Sequence, residues 1–415
     1  MAFDFEISLE SDPTYINVLP DKPSAWQQVI LTDSIFHVYP MMKVILPDET
    51  AVLLEEKFFV EGLKFIFKMG SWEYGDIPGL GFMQHNFFSA EQQVNYMEHM
   101  QDTIGGDVLW MFASDFKKQG PAKSFSYPMM TPDAIAKIIA LQYDYPNLLG
   151  LAIPGINVFT TPSVNVGNWM QANYTDGYFL EILSKYAFNP AFLNSPWYVF
   201  FNLAGEFHFR AAADLFMGQQ PVADLKFDVQ GDPETDDVNT VLQYDLHFPG
   251  TEISYPLLNT RFDKLDKLTG TYLPLPRDIS STKLLPLPES IINKRTVLTE
   301  DLSDMRSARK MGMWSILEEF DYQGLINHQY KQAIFPYRMT FLLHWNYKLA
   351  AGKTINLQVS GADELKPISI PYSGKWLILE SSHYIDEDND PYTKIEVAKN
   401  TVGVLPDNEL YFDMA

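Results

Sequence analysis

Apolar and polar residues along this chain alternate in two rhythms, and the places where one rhythm gives way to the other outline its organisation. Between residues 34 and 69 the period is two. The clearest stretch puts Leu63, Phe65, Phe67 and Met69 on one face and Lys64 and Lys68 on the other, which is the signature of a strand. Further strands are predicted at 81–89 and 107–116, and the run GDIPGLG supplies a turn. Short strands with Gly- and Pro-bearing turns are the pattern of a small antiparallel barrel or sandwich, and this first domain is placed at 1–128.

At Thr131 the period lengthens. Thr131 suits a helix N-cap and Pro132 the first helical position, and Ile135, Ile138 and Ile139 then recur at helical spacing. A second helix is predicted from Asp176, with Phe179, Ile182, Leu183 and Tyr186 on one stripe. Strands are expected at 197–203 and 206–210, so this middle section reads as α/β. Four prolines, Pro274, Pro276, Pro286 and Pro288, make 271–290 an extended surface crossing. A long helical stretch is predicted over 303–333.

In the last hundred residues strand alternation returns. Tyr337, Met339, Phe341, Leu343 and Trp345 occupy one face. A turn at 350–353 leads to Ile355, Leu357 and Val359, a third strand spans 376–385, and Thr393, Ile395 and Val397 alternate in a fourth. These four are expected to form an antiparallel meander, hence a second barrel-like sheet. The expected class is α+β: two antiparallel barrel-like domains with an α/β section inserted. The first barrel is 1–128, the middle section 129–235 and 263–334, the second barrel 236–262 with 335–400, and 401–415 a tail.

Composition narrows the function. In 415 residues, 53 Asp and Glu oppose 30 Lys and Arg, a formal charge of −23. Such a surface repels a polyphosphate, so sequence-specific nucleic-acid binding is not expected, whereas passage of nucleic acid through a non-adhesive channel is compatible with it. With no Cys in the chain, disulfides, thiolate metal sites and Cys nucleophiles drop out. The acidic start MAFDFEISLE lacks the features of a secretory signal, and no apolar run reaches the length of a membrane span. A soluble protein made in a cytoplasm is expected.

Several fragments invite a chemical reading and fail it on spacing. AGKT at 351–354 resembles the end of a phosphate loop, but Tyr347 stands where the first Gly belongs. Gly75, Gly79 and Gly81 miss the dinucleotide spacing and are read as turn glycines. Asp386, Asp388 and Asp390 have the odd spacing of a calcium loop, but Pro391 replaces its Gly and Val397 its bidentate Glu. Eight His residues form no metal-binding pair, and His344 and His383 are expected to be ordinary hydrogen-bonded side chains in strands. The pairs Glu55–Glu56 and Glu318–Glu319 are sequence neighbours that point apart, unlike the opposed carboxylates of a glycosidase. No catalytic, cofactor-binding or metal residue is assigned, and no cofactor is expected. The aromatic content of 14% suits cores and subunit interfaces, and leaves a glycan-binding or glycan-degrading protein as the alternative.

The runs NYKLAAGKTINLQV, SGKWLILESSHYID and YTKIEVAKNTV, in that order, resemble the closing strands of baseplate hub proteins of contractile-tailed phages. RSARKMGMWSILEEF and SPWYVFFNLAGEFHFRAAADLFMGQQPV are similar to the same family's packing pattern, and together the matched segments cover about half the chain. The resemblance implies a structural virion protein rather than an enzyme. It implies two similar barrels per chain and a homotrimer, giving a quasi-sixfold ring in the tail baseplate, assembled in the host cytoplasm. Such a ring adapts a sixfold tail tube to a threefold central spike, contacts other baseplate proteins, and lets DNA pass during ejection without binding it.

Overall fold

The structure is a computed structural model, and it describes residues 4–9, 28–48, 64–70, 83–98, 104–114, 122–142, 157–192, 195–228, 241–247, 260–266, 271–274, 296–300, 331, 335, 337–360, 373–385 and 391–399. Its N-terminal strands are β1 (Asp4–Leu9), β2 (Gln28–Ser34), β3 (Met41–Asp48), β4 (Lys64–Gly70), β5 (Met83–Glu98) and β6 (Ile104–Ser114). There follow β7 (Lys123–Met130), α1 (Pro132–Leu141), β8 (Asn157–Thr160), β9 (Gly167–Tyr174), α2 (Asp176–Tyr186), β10 (Trp197–Phe201), β11 (Glu206–Ala211) and α3 (Ala212–Met217). Next come β12 (Asp224–Asp228), β13 (Val241–His247), β14 (Thr260–Asp266), β15 (Thr271–Pro274) and β16 (Thr296–Glu300). The chain closes with β17 (Tyr337–His344), β18 (Thr354–Ser360), β19 (Gly374–Ile385) and β20 (Pro391–Lys399). The architecture is mostly antiparallel sheet with few helices among the described residues.

Strands from the two ends of the chain share one twelve-stranded sheet, whose main path runs β1-β4-β5-β6-β3-β2-β19-β20-β17-β13. Its seam is the antiparallel pair β2–β19, where Ile30 faces Tyr384 and Thr32 faces Ser382. Among the described strands this path is open, with β1 and β13 at its ends, and no barrel closes. The C-terminal strands also depart from the expected meander. β18, β19 and β20 are consecutive antiparallel neighbours, but β17 lies beside β20, while β18 takes β12 as a parallel partner.

The predicted helix starts are present. Thr131 stands at the N-cap of α1 with Pro132 in its first turn, and the Oγ1 of Thr175 accepts from the backbone N–H of Tyr178 at the start of α2. Ile135 and Ile139 are buried, but Ile138 is on the outer side of α1. The long helical stretch expected at 303–333 lies, except for Lys331, outside the described residues, as does most of the proline-rich crossing. Thr271–Pro274, at the start of that crossing, pairs with β14 as a strand.

The small sheet β10-β11-β8 is covered on both faces. Every residue of β10 and β11 is buried. Because side chains alternate across a strand, Trp197, Val199, Phe201, Phe207, Phe209 and Ala211 enter a core with Ile135, Ile139, Phe179 and Leu183 of the two helices. On the opposite face Tyr198 and Phe200 join Ala351, Leu377, Leu379 and Ala398 of the long sheet. β19 repeats the device, since Leu377 and Leu379 face this second core whereas Trp376 and Ile378 face a third, with Phe341, Ile355, Ile395 and Val397. The layers are thus helices, small sheet, long sheet.

Candidate functional site

Burying both faces of β11 creates a problem that its sequence states openly. In EFHFRA the residues opposite the apolar face are Glu206, His208 and Arg210, and all three are buried against the long sheet. A buried polar group without a partner costs on the order of 1–3 kcal/mol, so this layer needs a complete set of bonds.

The turn between β17 and β18 contributes Lys353 and the carbonyl of Ala351. Lys353 Nζ donates to Glu206 Oε1 at 2.5 Å, and His208 Nε2 lies 3.1 Å from Glu206 Oε2. Asn202 Nδ2 donates to Glu206 Oε2 at 3.0 Å and to the carbonyl of Ala351 at 3.1 Å, while Asn202 Oδ1 accepts from the N–H of Glu206. Phe159 and Phe200 stack on either face of His208, with centroids 5.2 and 4.7 Å away. Arg210 is served separately, its Nε donating to Asp214 Oδ2 at 2.8 Å from α3, a short helix the sequence reading missed.

Asp33, at the end of β2, completes the junction. Its Oδ1 accepts from the N–H of Ala351 at 3.1 Å and its Oδ2 from the N–H of Leu203 at 2.7 Å. Three segments far apart in sequence therefore meet at one buried carboxyl.

The electrostatics follow from burial and partners. Burial pushes the Asp33 carboxyl up to about 7, with nearby Glu380 adding to the effect and backbone N–H groups of Leu203, Ala351 and Ser381 opposing it. Burial also works to raise Glu206, but the bonds and charges of His208 and Lys353 outweigh it and bring the group down to about 2. Burial pulls His208 below its ordinary value, against the opposing pull of Glu206. A second buried histidine, His383, is lowered to about 3 by burial. It bonds Thr393 Oγ1 through Nδ1 at 3.1 Å, the ordinary strand role expected of it.

The same geometry settles the AGKT fragment. A phosphate loop needs free backbone N–H groups, yet here Ala351 N–H is bonded to Asp33, Gly352 N–H to the carbonyl of Ile378 at 2.9 Å, and Lys353 N–H to that of Ala350 at 3.2 Å. The ammonium of Lys353 is engaged by Glu206. Gly352 holds φ +79° and lies so close to Phe200 that a Cβ there would sit 2.3 Å from its Cζ. This is a structural turn, and the chemistry of its surroundings is adhesion between layers. The Gly75–Gly81 run, the 386–390 acidic loop and both Glu pairs lie outside the described residues. Among the described residues no group of three or more metal-binding side chains occurs, and no helix is long and apolar enough to cross a membrane.

Sequence reasoning did not find the Glu206–His208–Lys353 network. The available signal was the alternation E-F-H-F-R between two apolar runs, which reads equally well as a solvated strand face.

No protein-family model and no curated protein sequence matches the chain. Solved structures do. A tail protein from Neisseria meningitidis MC58 aligns over 96% of this chain and 97% of its own, with a TM-score of 0.53 at 9% identity. The 43 kDa tail protein of prophage MuSo2 from Shewanella oneidensis aligns over 96% and 99%, with a TM-score of 0.50 at 12% identity. At these identities the likeness is one of fold. The chain therefore shares its fold with these two tail proteins.

Proposed function

We propose that this chain is a structural hub of a phage tail baseplate and acts without catalysis. The observation that carries the reading is a fold match to two tail proteins that spans nearly the whole of both partners. In the assembly we envisage, three copies form a ring in which the regions 1–128 and 236–262 with 335–400 serve as two tube-type domains per chain and 129–235 with 263–334 lies between them. That ring has quasi-sixfold symmetry, seats a sixfold tail tube on one side and receives a threefold spike on the other. The −23 charge supports a channel through which DNA passes without adhering. The junction around Asp33 suits a part that transmits load, because its buried carboxyl ties three distant chain segments by hydrogen bonds.

Electron microscopy with mass measurement, on the purified chain alone and mixed with its spike protein, tests the proposal. A threefold particle with a central opening is expected, without duplex binding at physiological salt. A monomer under both conditions, or tight duplex binding, overturns it.

A further inference from the structure

The two-stranded ribbon β7–β9 presents large exposed apolar side chains and almost no charge. One face packs inward through Tyr127, Trp169 and Gln171, against the helical core or buried within the fold. Phe125 lies on that same face, paired with Gln171, yet is 60% exposed, and Met170 on the other face is 66% exposed. Met129 is 74% exposed, and Tyr178, beside Tyr174 with ring centroids 5.0 Å apart, is 53% exposed. Ser126 pairs with Met170 in the middle of the outer face. Among the described strands β7 and β9 pair only with each other, so both edges of the ribbon lack a strand partner.

Edges of this kind are ordinarily guarded by charge, and here the guard is missing. Of the sixteen residues in β7 and β9 only Lys123 is charged, and its Nζ is held by Asp176 at 2.6 Å. Over residues 122–192 three lysines face four acidic residues, a balance of −1 in a chain whose total is −23.

That charge distribution selects the occupant. Two copies carrying −23 each repel one another wherever acidic surfaces meet, and least where the local charge is near zero. A basic partner is drawn instead to the acidic remainder. Exposed Met and aromatic side chains, with a minimum of charge, are the composition of an interface centre. We infer that the exposed apolar side chains of the β7–β9 ribbon, Phe125, Met129 and Met170, form a contact surface for a second copy of this chain. The inference rests on the ring proposed above and names one surface that holds its copies together.

Light scattering across a concentration series provides the test, on the full chain and two variants of equal charge change. Phe125→Glu with Met170→Glu places two negative charges on the ribbon, and Lys226→Glu changes the net charge by the same amount at an exposed site on β12. The expected result is a trimer for the wild type and Lys226→Glu, and a dissociation constant raised at least about tenfold for the double variant. Circular dichroism should be unchanged throughout. If the double variant fails to fold, Phe125→Ser with Met170→Ser replaces it, with weakened association again expected. A trimeric wild type whose ribbon variants stay trimeric overturns the inference and leaves the ring standing. Equal dissociation of both charge variants overturns it too, since net charge alone is then responsible. A wild type that is monomeric at every concentration overturns both.

Discussion

The carboxyl of Asp33 accepts a hydrogen bond from the backbone of Ala351, 318 residues further along the chain. Its other oxygen binds Leu203, so one side chain joins β2, the loop after β10 and the turn before β18. Burial has raised this acid to about 7 from an ordinary 3.8. Between those values the folded chain holds a proton that the unfolded chain has released, so Asp33's contribution grows as pH falls from about 7 and is lost as pH rises through that value. Asp33→Asn removes this dependence and also opposes an amide N–H to a backbone donor, at a cost of about 1–3 kcal/mol. Unfolding in urea across the neutral range should show the variant's deficit widening toward acid. A deficit that is flat with pH would mean the acid does not titrate there.

His383 has the opposite sign. Its folded value is lowered to about 3 by burial from an ordinary 6.5, so the unfolded chain takes the proton first as pH falls. The stability it supports is complete above about 6.5 and declines toward 3. Glu206, held at about 2, adds a loss that begins below about 4.5. Acid unfolding followed by circular dichroism should begin at lower pH in His383→Gln than in the wild type, even if the variant is less stable at neutral pH.

Gly352→Ala should destabilise the chain by about 2 kcal/mol or more, because the position combines φ +79° with a Cβ 2.3 Å from Phe200. Shortening the obstacle with Phe200→Leu should recover part of that loss, leaving the backbone strain. Denaturant midpoints of the two single variants and the double variant check this. Simple additivity of the two losses would show that the contact is not the cause.

Trp376 is buried among Leu225, Ile355, Ile395 and Val397, with Lys399 Nζ 4.6 Å from its ring. Trp345 is buried against His383, edge to face at 5.0 Å. Replacing either with Ala should cost about 3–5 kcal/mol. Replacing either with Asp should abolish folding and assembly, because an unpaired charge in such a core is more costly still. Soluble expression and gel filtration report the outcome, and a folded Trp376→Asp trimer would contradict this placement.

What the sequence determined by itself was local. Alternation at 337–345 and 393–397 is visible because one face of each strand is buried and the other less so. Thr131-Pro132 announces a helix start because capping depends on adjacent residues, whereas the cap at Thr175 emerged only from the structure. The spacing at 347–354, with Tyr347 where the first Gly belongs, already speaks against a phosphate loop. Partner choice was left to the tertiary structure. Nothing in the run 337–345 distinguishes β20 from β18 as its neighbour, nor in 28–34 that β2 pairs with β19, because hydrogen-bonding edges carry no sequence label. The junction was hidden for a related reason. Glu206, His208 and Arg210 look like a solvated face until the long sheet covers them, and Asp33, Asn202 and Lys353 become their environment only when segments more than a hundred residues apart are packed together. Periodicity records which side of a strand is apolar, whereas burial of the polar side is decided by whatever layer comes to rest upon it.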